Sequence, residues 1–325
     1  MREKPLVSDM KRSSFSKFYS KYGTACVLVI MILVSALLSS NFLKIANITN
    51  VLRQITVVTI LGFGATFVLI LGEINVAYDS LIPLIGCLSC MAMVRTQNIL
   101  IAVIVGVALG GLVGFFYGLL VTAFEIPSFI VGLAFGTLSR GIIYLITNGA
   151  PVQNIGDLKI LGQGYIGVIP IPVIIMLVLL GATWFILNKT CFGRHVLAVG
   201  GNRAAAIASG IRANSIIRKV YVLDGLLVGL ASVIFMARLN CGQPGAGAGY
   251  AFDAITGVVV GGTSLSGGVG NIPGTLIGAA VVGVINNIMN LKNISSYVQQ
   301  IVQGGIILLA IVVDIKIKKS VKKLS

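Results

Sequence analysis

Acidic residues are scarce in this chain: nine Asp and Glu stand against 24 Lys and Arg among 325 residues, with one histidine and one tryptophan. A single imidazole, His195, read as a loop residue, cannot assemble a metal centre or a Ser/His/Asp triad with so few partners. The Gly-x-x-x-x-Gly-Lys-[Ser/Thr] pattern is absent and no glycine is followed by lysine, so the chain has no phosphate-cradling loop. Any dependence on ATP must then come from a partner. The run GAGAG at 245–249 lacks the strand, helix spacing and downstream acid of a dinucleotide fingerprint. Five cysteines, at 26, 87, 90, 191 and 241, make no disulfide or ligand pattern, and Cys87 and Cys90, one turn apart in an apolar run, read as packing residues. No catalytic, cofactor or metal site is expected, and the chain does not read as an enzyme.

What is abundant is apolar. Hydrophobic residues make up 57%, charged residues 10%, and the mean hydropathy is +1.02, values of a polytopic membrane protein. Forty glycines against 8 prolines suit helices that approach closely, and the alternating ten-residue segments of a β-barrel are missing. The fold class is therefore all-α, a membrane helical bundle of about ten spans, at 23–43, 54–72, 80–95, 98–123, 128–147, 168–188, 217–238, 252–266, 273–290 and 296–314. The run 23–43 is too long for a signal-peptide core and lacks a cleavage pattern, so it is expected to stay as an anchor.

The excess of basic residues is a topology signal before it is a nucleic-acid signal, and no nucleic-acid partner is expected. With all ten runs crossing, one side receives 17 Lys and Arg, from residues 1–22, 189–221 and the tail 315–325, and the other side six. The positive-inside rule puts both termini and the 189–221 loop in the cytosol. The domain reading is a basic segment 1–22, a transmembrane domain 23–314 and a basic tail 315–325.

Two glycine-rich or polar stretches interrupt the runs, 71–86 (LGEINVAYDSLIPLIG) and 241–278. Each follows the second run of its own set of five, and an odd number of spans per set inverts one set relative to the other, the pattern of an inverted repeat with broken helices on the translocation path. Glu73, Asn75 and Asp79 in the first stretch and Thr256, Thr263 and Ser264 in the second are the candidate path residues. Glu73 could line the path, pair with Arg140 or reach water; Asp224 and Asp253 sit near run ends and read as interfacial and structural. Thr137, Ser139, Asn286, Asn287 and Asn290 suit either an uncharged hydroxyl-rich cargo or helix-to-helix hydrogen bonding.

The loop 189–221 is the one long basic interval between spans. Asn202 is a good N-cap, Arg203–Ser209 is rich in alanine, and Gly210 is a natural C′ stop, which predicts a two-turn helix showing Ala204, Ala205, Ile207 and Ala208. A small apolar knob held in the cytosol by charge fits a socket on another protein.

The stretches FGRHVLAVGGNRAAAIASGI (192–211), DGLLVGLASVIFMARL (224–239), DAITGVVVGGTSLSGGVGNIPGTLIGA (253–279) and SSYVQQIVQGGIILLAIVVD (295–314), with YGLLVTAFEIPSFIVGLAFGTLSRGI (117–142), closely resemble permease subunits of ribose-type ATP-binding-cassette importers. These are part of a larger family that includes branched-chain amino acid permeases. The resemblance implies a bacterial inner-membrane subunit that pairs with a second permease copy or relative, sits on cytosolic ATPase domains that bind the ATP, and receives cargo from an extracytoplasmic solute-binding protein. It also implies that Gly200, Gly201, Asn202, Gly210 and Ile211, together with Ala205 and Ile207 of the helix between them, engage the ATPase. The sugar-permease pattern Gly-Gly-Ile-Asp-Leu-Ser-Val-Gly-Ser is departed from at 72–80, GEINVAYDS, which bears on the cargo. The expected function is import of a monosaccharide or similar polyhydroxylated solute. A branched-chain amino acid importer and an ion-coupled secondary transporter are the alternatives, the latter weakened because no chain of facing acidic groups can be assembled.

Overall fold

In lipid every backbone polar group must be satisfied within the protein, so apolar runs of this length fold as helices. The structure, a computed structural model, describes residues 23–295, 297–306, 308 and 312. The basic segment 1–22, the tail 315–325 and part of the last apolar run lie outside the described residues. The helices are α1 (Gly23–Leu38), α2 (Ile45–Ile70), α3 (Tyr78–Thr96), α4 (Ile99–Ala123), α5 (Ser128–Thr147), α6 (Ile160–Gln163), α7 (Ile171–Lys189), α8 (Cys191–Gly201), α9 (Arg203–Ala208), α10 (Ala213–Leu239), α11 (Tyr250–Val260) and α12 (Ile272–Leu291). Residues 297–306 are helical too. A two-residue hairpin, β1 (Tyr165–Ile166) with β2 (Ile169–Pro170), precedes α7.

Among the described residues seven helices, α2 to α5, α7, α10 and α12, are long and apolar enough to cross a membrane, and α1 and α11 are shorter apolar helices. Every apolar run read from the sequence carries a helix, but the interruptions are narrower than expected. Non-helical backbone covers only 71–77 in the first, because Pro83 is taken into α3 near its start. The second ends at 271: Pro273 stands in the first turn of α12, where its missing N–H costs nothing, and Gly274 and Gly278 are helical packing residues. The run 252–266 is α11 followed by turns. At 11 residues α11 rises roughly 16 Å, about half the hydrocarbon thickness.

Three helices of each expected repeat show the inverted relation in the packing. α2 packs on α12 as α10 packs on α4; α3 lies on α4 and α10 as α11 lies on α12 and α2. Exchanging α2, α3 and α4 with α10, α11 and α12 reproduces these contacts. The two sets run in opposite directions, since α2 ends at Ile70, whose carbonyl touches Gly200 of α8 and accepts the Gly268 N–H at 2.8 Å, while α10 starts at this same end, two short links after α8. Thr24 of α1 also bonds there, to the Val260 carbonyl at 3.1 Å. This end is called the basic-loop end below, and the opposite one the hairpin end.

Close approach of α4 and α10 needs glycine. A methyl group at Gly110 would overlap the Gly225 carbonyl oxygen, one at Gly225 the Gly110 oxygen, and one at Gly229 the Gly106 oxygen. Small residues let the backbones meet where lipid offers no hydrophobic drive to helix pairing. Gly110→Val is expected to destabilise the bundle by about 1–3 kcal/mol or more, the range for overpacking. Gly181→Ala, where nothing lies within 4 Å of the new methyl, is expected to leave the melting temperature in detergent unchanged. Equal melting temperatures for the two variants would contradict the packing described.

Candidate functional site

Non-helical backbone at membrane depth persists only where protein groups satisfy it, and both interruptions are satisfied in this way. In 71–77 the Glu73 N–H donates to the Val68 carbonyl, the Ile74 N–H to the Ser128 hydroxyl at 3.1 Å, and the Ala77 N–H to the Asn75 side-chain oxygen at 3.0 Å. The Tyr117 hydroxyl in turn donates to the Ser128 carbonyl at 2.6 Å, which ties α4 to the start of α5. In 240–249, Gly242 exchanges both backbone bonds with Val152 at 2.8 Å, and Nη1 of Arg140 donates to the carbonyls of Pro244 and Ala246 at 3.2 and 3.4 Å.

The two helices that follow the interruptions start beside one another, deep in the bundle. α11 has no cap of its own, since Gly249 takes the left-handed φ of +85° and offers no side chain. Instead Asp79, in the first turn of α3, accepts the N–H groups of Gly249 at 3.0 Å and Ala251 at 2.7 Å. A carboxylate on the free amides of a helix start is stabilising both as a cap and against the helix dipole.

Beside it lies a buried group. Asp224, near the middle of α10 and 1% exposed, accepts the Asn75 amide at 2.9 Å and the Tyr78 hydroxyl at 2.8 Å. Asp253, in the first turn of α11, accepts Asn286 at 3.1 Å and Gln303 at 2.9 Å. The expectation that both acids are interfacial is corrected: each is buried and fully engaged inside the bundle. A position in an apolar run does not reveal which polar side chains other runs will bring to it.

An open cleft of about 490 Å³ adjoins the start of α3, lined by Ser80, Gly136, Thr137, Arg140, Gly141 and Tyr144 of α3 and α5. Of the sequence-derived path residues, Asn75 and Asp79 belong to the network between the two interruptions. Glu73 is half-buried in 71–77, and the pairing with Arg140 that was one of its options is not formed. Thr256 is buried in α11. Thr263 and Ser264 lie in the turn below α11, where the Thr263 hydroxyl accepts the Asn271 N–H at 3.2 Å and the Ser264 hydroxyl accepts the Ser266 N–H at 3.2 Å. Sequence reasoning missed Tyr78, Ser128 and the hydrogen bonds of Arg140. Asn287 pairs reciprocally with Asn47 across α2 and α12, which makes it a helix-to-helix tie.

At the basic-loop end the Asn202 side chain caps α9 by accepting the Ala205 N–H at 3.0 Å. Gly210, at φ +84°, closes the helix with its N–H on Ile207 and that of Ile211 on Ala206, a Schellman arrangement. Ala206 is turned inward, while Ala204, Ala205, Ala208 and Ile207, the last 54% exposed, face outward as the sequence predicts. Gly200 is held against the Ile70 carbonyl, where any side chain would overlap, and Gly201 meets open space. A second helix, α8, precedes α9, started by Thr190 accepting the Gly193 N–H at 3.2 Å, so His195 is a helical surface residue and not a loop residue.

The family described as branched-chain amino acid transport system / permease component matches residues 47–311. The ribose import permease protein of Bacillus subtilis (strain 168) is 38% identical over 319 residues, covering 97% of this chain and 99% of the relative. That of Escherichia coli (strain K12) is 42% identical over 294 residues, covering 89% and 92%. The D-allose transport system permease protein of Escherichia coli (strain K12) is 34% identical over 322 residues, covering 98% of each. No solved structure matches.

Where the sugar-permease pattern has an aspartate this chain has Asn75, whose amide donates to the buried Asp224 carboxylate. Asn75→Asp alone sets two carboxylates against each other in a dry site and removes a donor, with an expected cost of about 2–3 kcal/mol. Asn75→Asp combined with Asp224→Asn restores one acid and one amide, and is expected to recover most of that loss in a thermal unfolding assay. A double variant as unstable as N75D would show that the contact does not organise the site.

Proposed function

Because this chain belongs to the family of branched-chain amino acid transport system permease components, with ribose-type import permeases among its relatives, we propose that it is the membrane-spanning subunit of an ATP-binding-cassette importer carrying a monosaccharide or similar polyhydroxylated solute into the cytoplasm. The observation that carries this reading is the pair of interrupted spans whose following helices start together inside the bundle, beside an open cleft. Broken helices of inverted repeats that meet at the midplane are where transporters bind and pass their solutes. The carbohydrate class follows from the sugar names of the relatives and from the hydroxyl-rich lining of the cleft, which holds no acid to pair with an amino group.

The chain lacks a phosphate loop, so hydrolysis falls to a separate cytosolic ATPase. With the basic-loop end in the cytosol, the exposed face of α9 is the surface offered to that ATPase. Gly200 and Gly267 seat α8 and the turn below α11 on the end of α2, so a push on α9 reaches both interrupted spans through packed backbone. Alternating access then consists of two arrangements of these spans that differ in their contacts with cargo and with nucleotide-bound ATPase. A second permease subunit faces α5 across the cleft, so that Arg140 and Thr137 look into a space between two chains: their helix's other outward residues, such as Leu133, Leu138 and Leu145, are apolar, and an arginine facing lipid at depth would cost about 2.5–3.5 kcal/mol. An extracytoplasmic binding protein delivers solute at the hairpin end.

The chain, reconstituted in liposomes with the ATPase and binding protein encoded beside it, is expected to take up D-ribose or D-allose only when ATP is present on the ATPase side. Uptake sustained by an ion gradient without ATP would replace this reading with a secondary transporter. In the same system Ala205→Glu or Ile207→Glu is expected to lower ATPase recruitment and uptake together by about tenfold, a change of ~1.4 kcal/mol in the contact. Unchanged recruitment in both variants would rule out the α9 contact.

A further inference from the structure

One group among those lining the α3–α5 cleft carries a full charge. Arg140 lies well inside α5, and its two hydrogen bonds, 3.2 and 3.4 Å, go to the neutral carbonyls of Pro244 and Ala246. Both bonds use Nη1, so Nε and Nη2 keep three N–H donors with no protein acceptor among the described residues. Asp79 is within electrostatic reach of the guanidinium, but its two oxygens are taken by the N–H groups of Gly249 and Ala251. No carboxylate stands among the described lining residues. Among the described residues the cleft is therefore a concavity holding one cation that no carboxylate pairs, with free donors and three hydroxyl groups around it.

The hydroxyls add to the pattern. Thr137 donates to the Leu133 carbonyl at 3.0 Å, which leaves its oxygen as an acceptor, and Ser80 and Tyr144 supply hydroxyls able to donate or accept. A volume of about 490 Å³ falls within the range of roughly 300–1,000 Å³ of small-molecule sites. Surrounded by apolar wall, the guanidinium focuses a positive potential into the opening. A solute rich in oxygen acceptors satisfies the free N–H groups, whereas one bearing an ammonium group meets a like charge.

Resting on the transport reading above, we propose that Arg140 is the specificity-determining residue of this cleft, admitting neutral and anionic polyhydroxylated solutes, aldoses and sugar acids, and excluding those with an ammonium group. The charge of the cleft can be read without transport. Thr137→Cys is made in a full-length chain whose native cysteines are replaced, and membrane vesicles are labelled with sulfonate-bearing and trimethylammonium-bearing methanethiosulfonates, each rate divided by that on a free small thiol. With Arg140 in place the sulfonate reagent is expected to be favoured by about tenfold, the lower end of the range for focused fields. R140K keeps the preference, and R140Q brings it to within about twofold of the free thiol.

A ratio near that of the free thiol with Arg140 in place, or an equal ratio in R140Q, would overturn the proposal. Should R140Q fail to accumulate, Tyr144→Glu puts a carboxylate into the lining without touching the Pro244 and Ala246 ties; an undiminished sulfonate preference in Y144E overturns it as well. In the reconstituted complex R140Q is further expected to raise the KM for D-ribose more than it lowers kcat, a split that a purely structural tie would not produce. Charge-selective labelling together with absent ATP-dependent uptake would sink the transport reading and leave the charge selection standing.

Discussion

The bond from the N–H groups of Gly249 and Ala251 to the Asp79 carboxylate is the contact on which the two halves of this bundle depend. A helix that begins inside a membrane protein exposes amides that neither lipid nor its own chain can satisfy. α11 begins in that way because 240–249 crosses the hairpin-end half of the bundle without a helix. A glycine at its start can give no cap. The acid that does so is at the start of α3, the equivalent helix of the opposite repeat, so each half completes the other at the interruption. Arg140 holds the carbonyls of the same segment from α5, and the segment's N–H and C=O groups are thereby held by opposite charges of the first repeat.

That arrangement changes the meaning of the 72–80 departures from the sugar-permease pattern. Asn75 and Tyr78 both turn to Asp224, and Asp79 turns to α11. They are matched within the fold, and of this stretch only Ser80 lines the cleft. Those three departures hold the fold together from within, while Glu73 stays half-buried beside them.

Much of the architecture was legible in the sequence, because hydropathy at membrane scale dominates every other signal. The runs, the two interruptions, the inverted order and the capped helix after Asn202 all emerge from one-dimensional patterns. The extents of the interruptions did not, since glycine has two meanings. At 247 and 249 it permits a positive φ in extended chain, whereas at 274 and 278 it lets α12 touch the carbonyls of Gly261 and Gly257. Composition cannot separate these uses. α8 was hidden for the same reason: Gly193, Gly200 and Gly201 suggest a loop, but Gly193 and Gly200 are there because the Leu187 and Ile70 carbonyls leave no room for a side chain. Asp224 was misplaced because its partners come from residues 75 and 78, far away in the chain.

The most direct measurement of the dependence between the repeats is hydrogen exchange of the segment 245–255 in the full-length protein, compared with an Asp79→Ala variant that still assembles. Capping by Asp79 predicts slow amides in the native chain and exchange about tenfold or more faster at Gly249 and Ala251 in the variant, as expected for loss of charge-assisted bonds each worth about 1.5–3 kcal/mol, with α4 and α10 unchanged. Equal exchange of this segment in both proteins would contradict the account, since α11 would then begin without help from the opposite repeat.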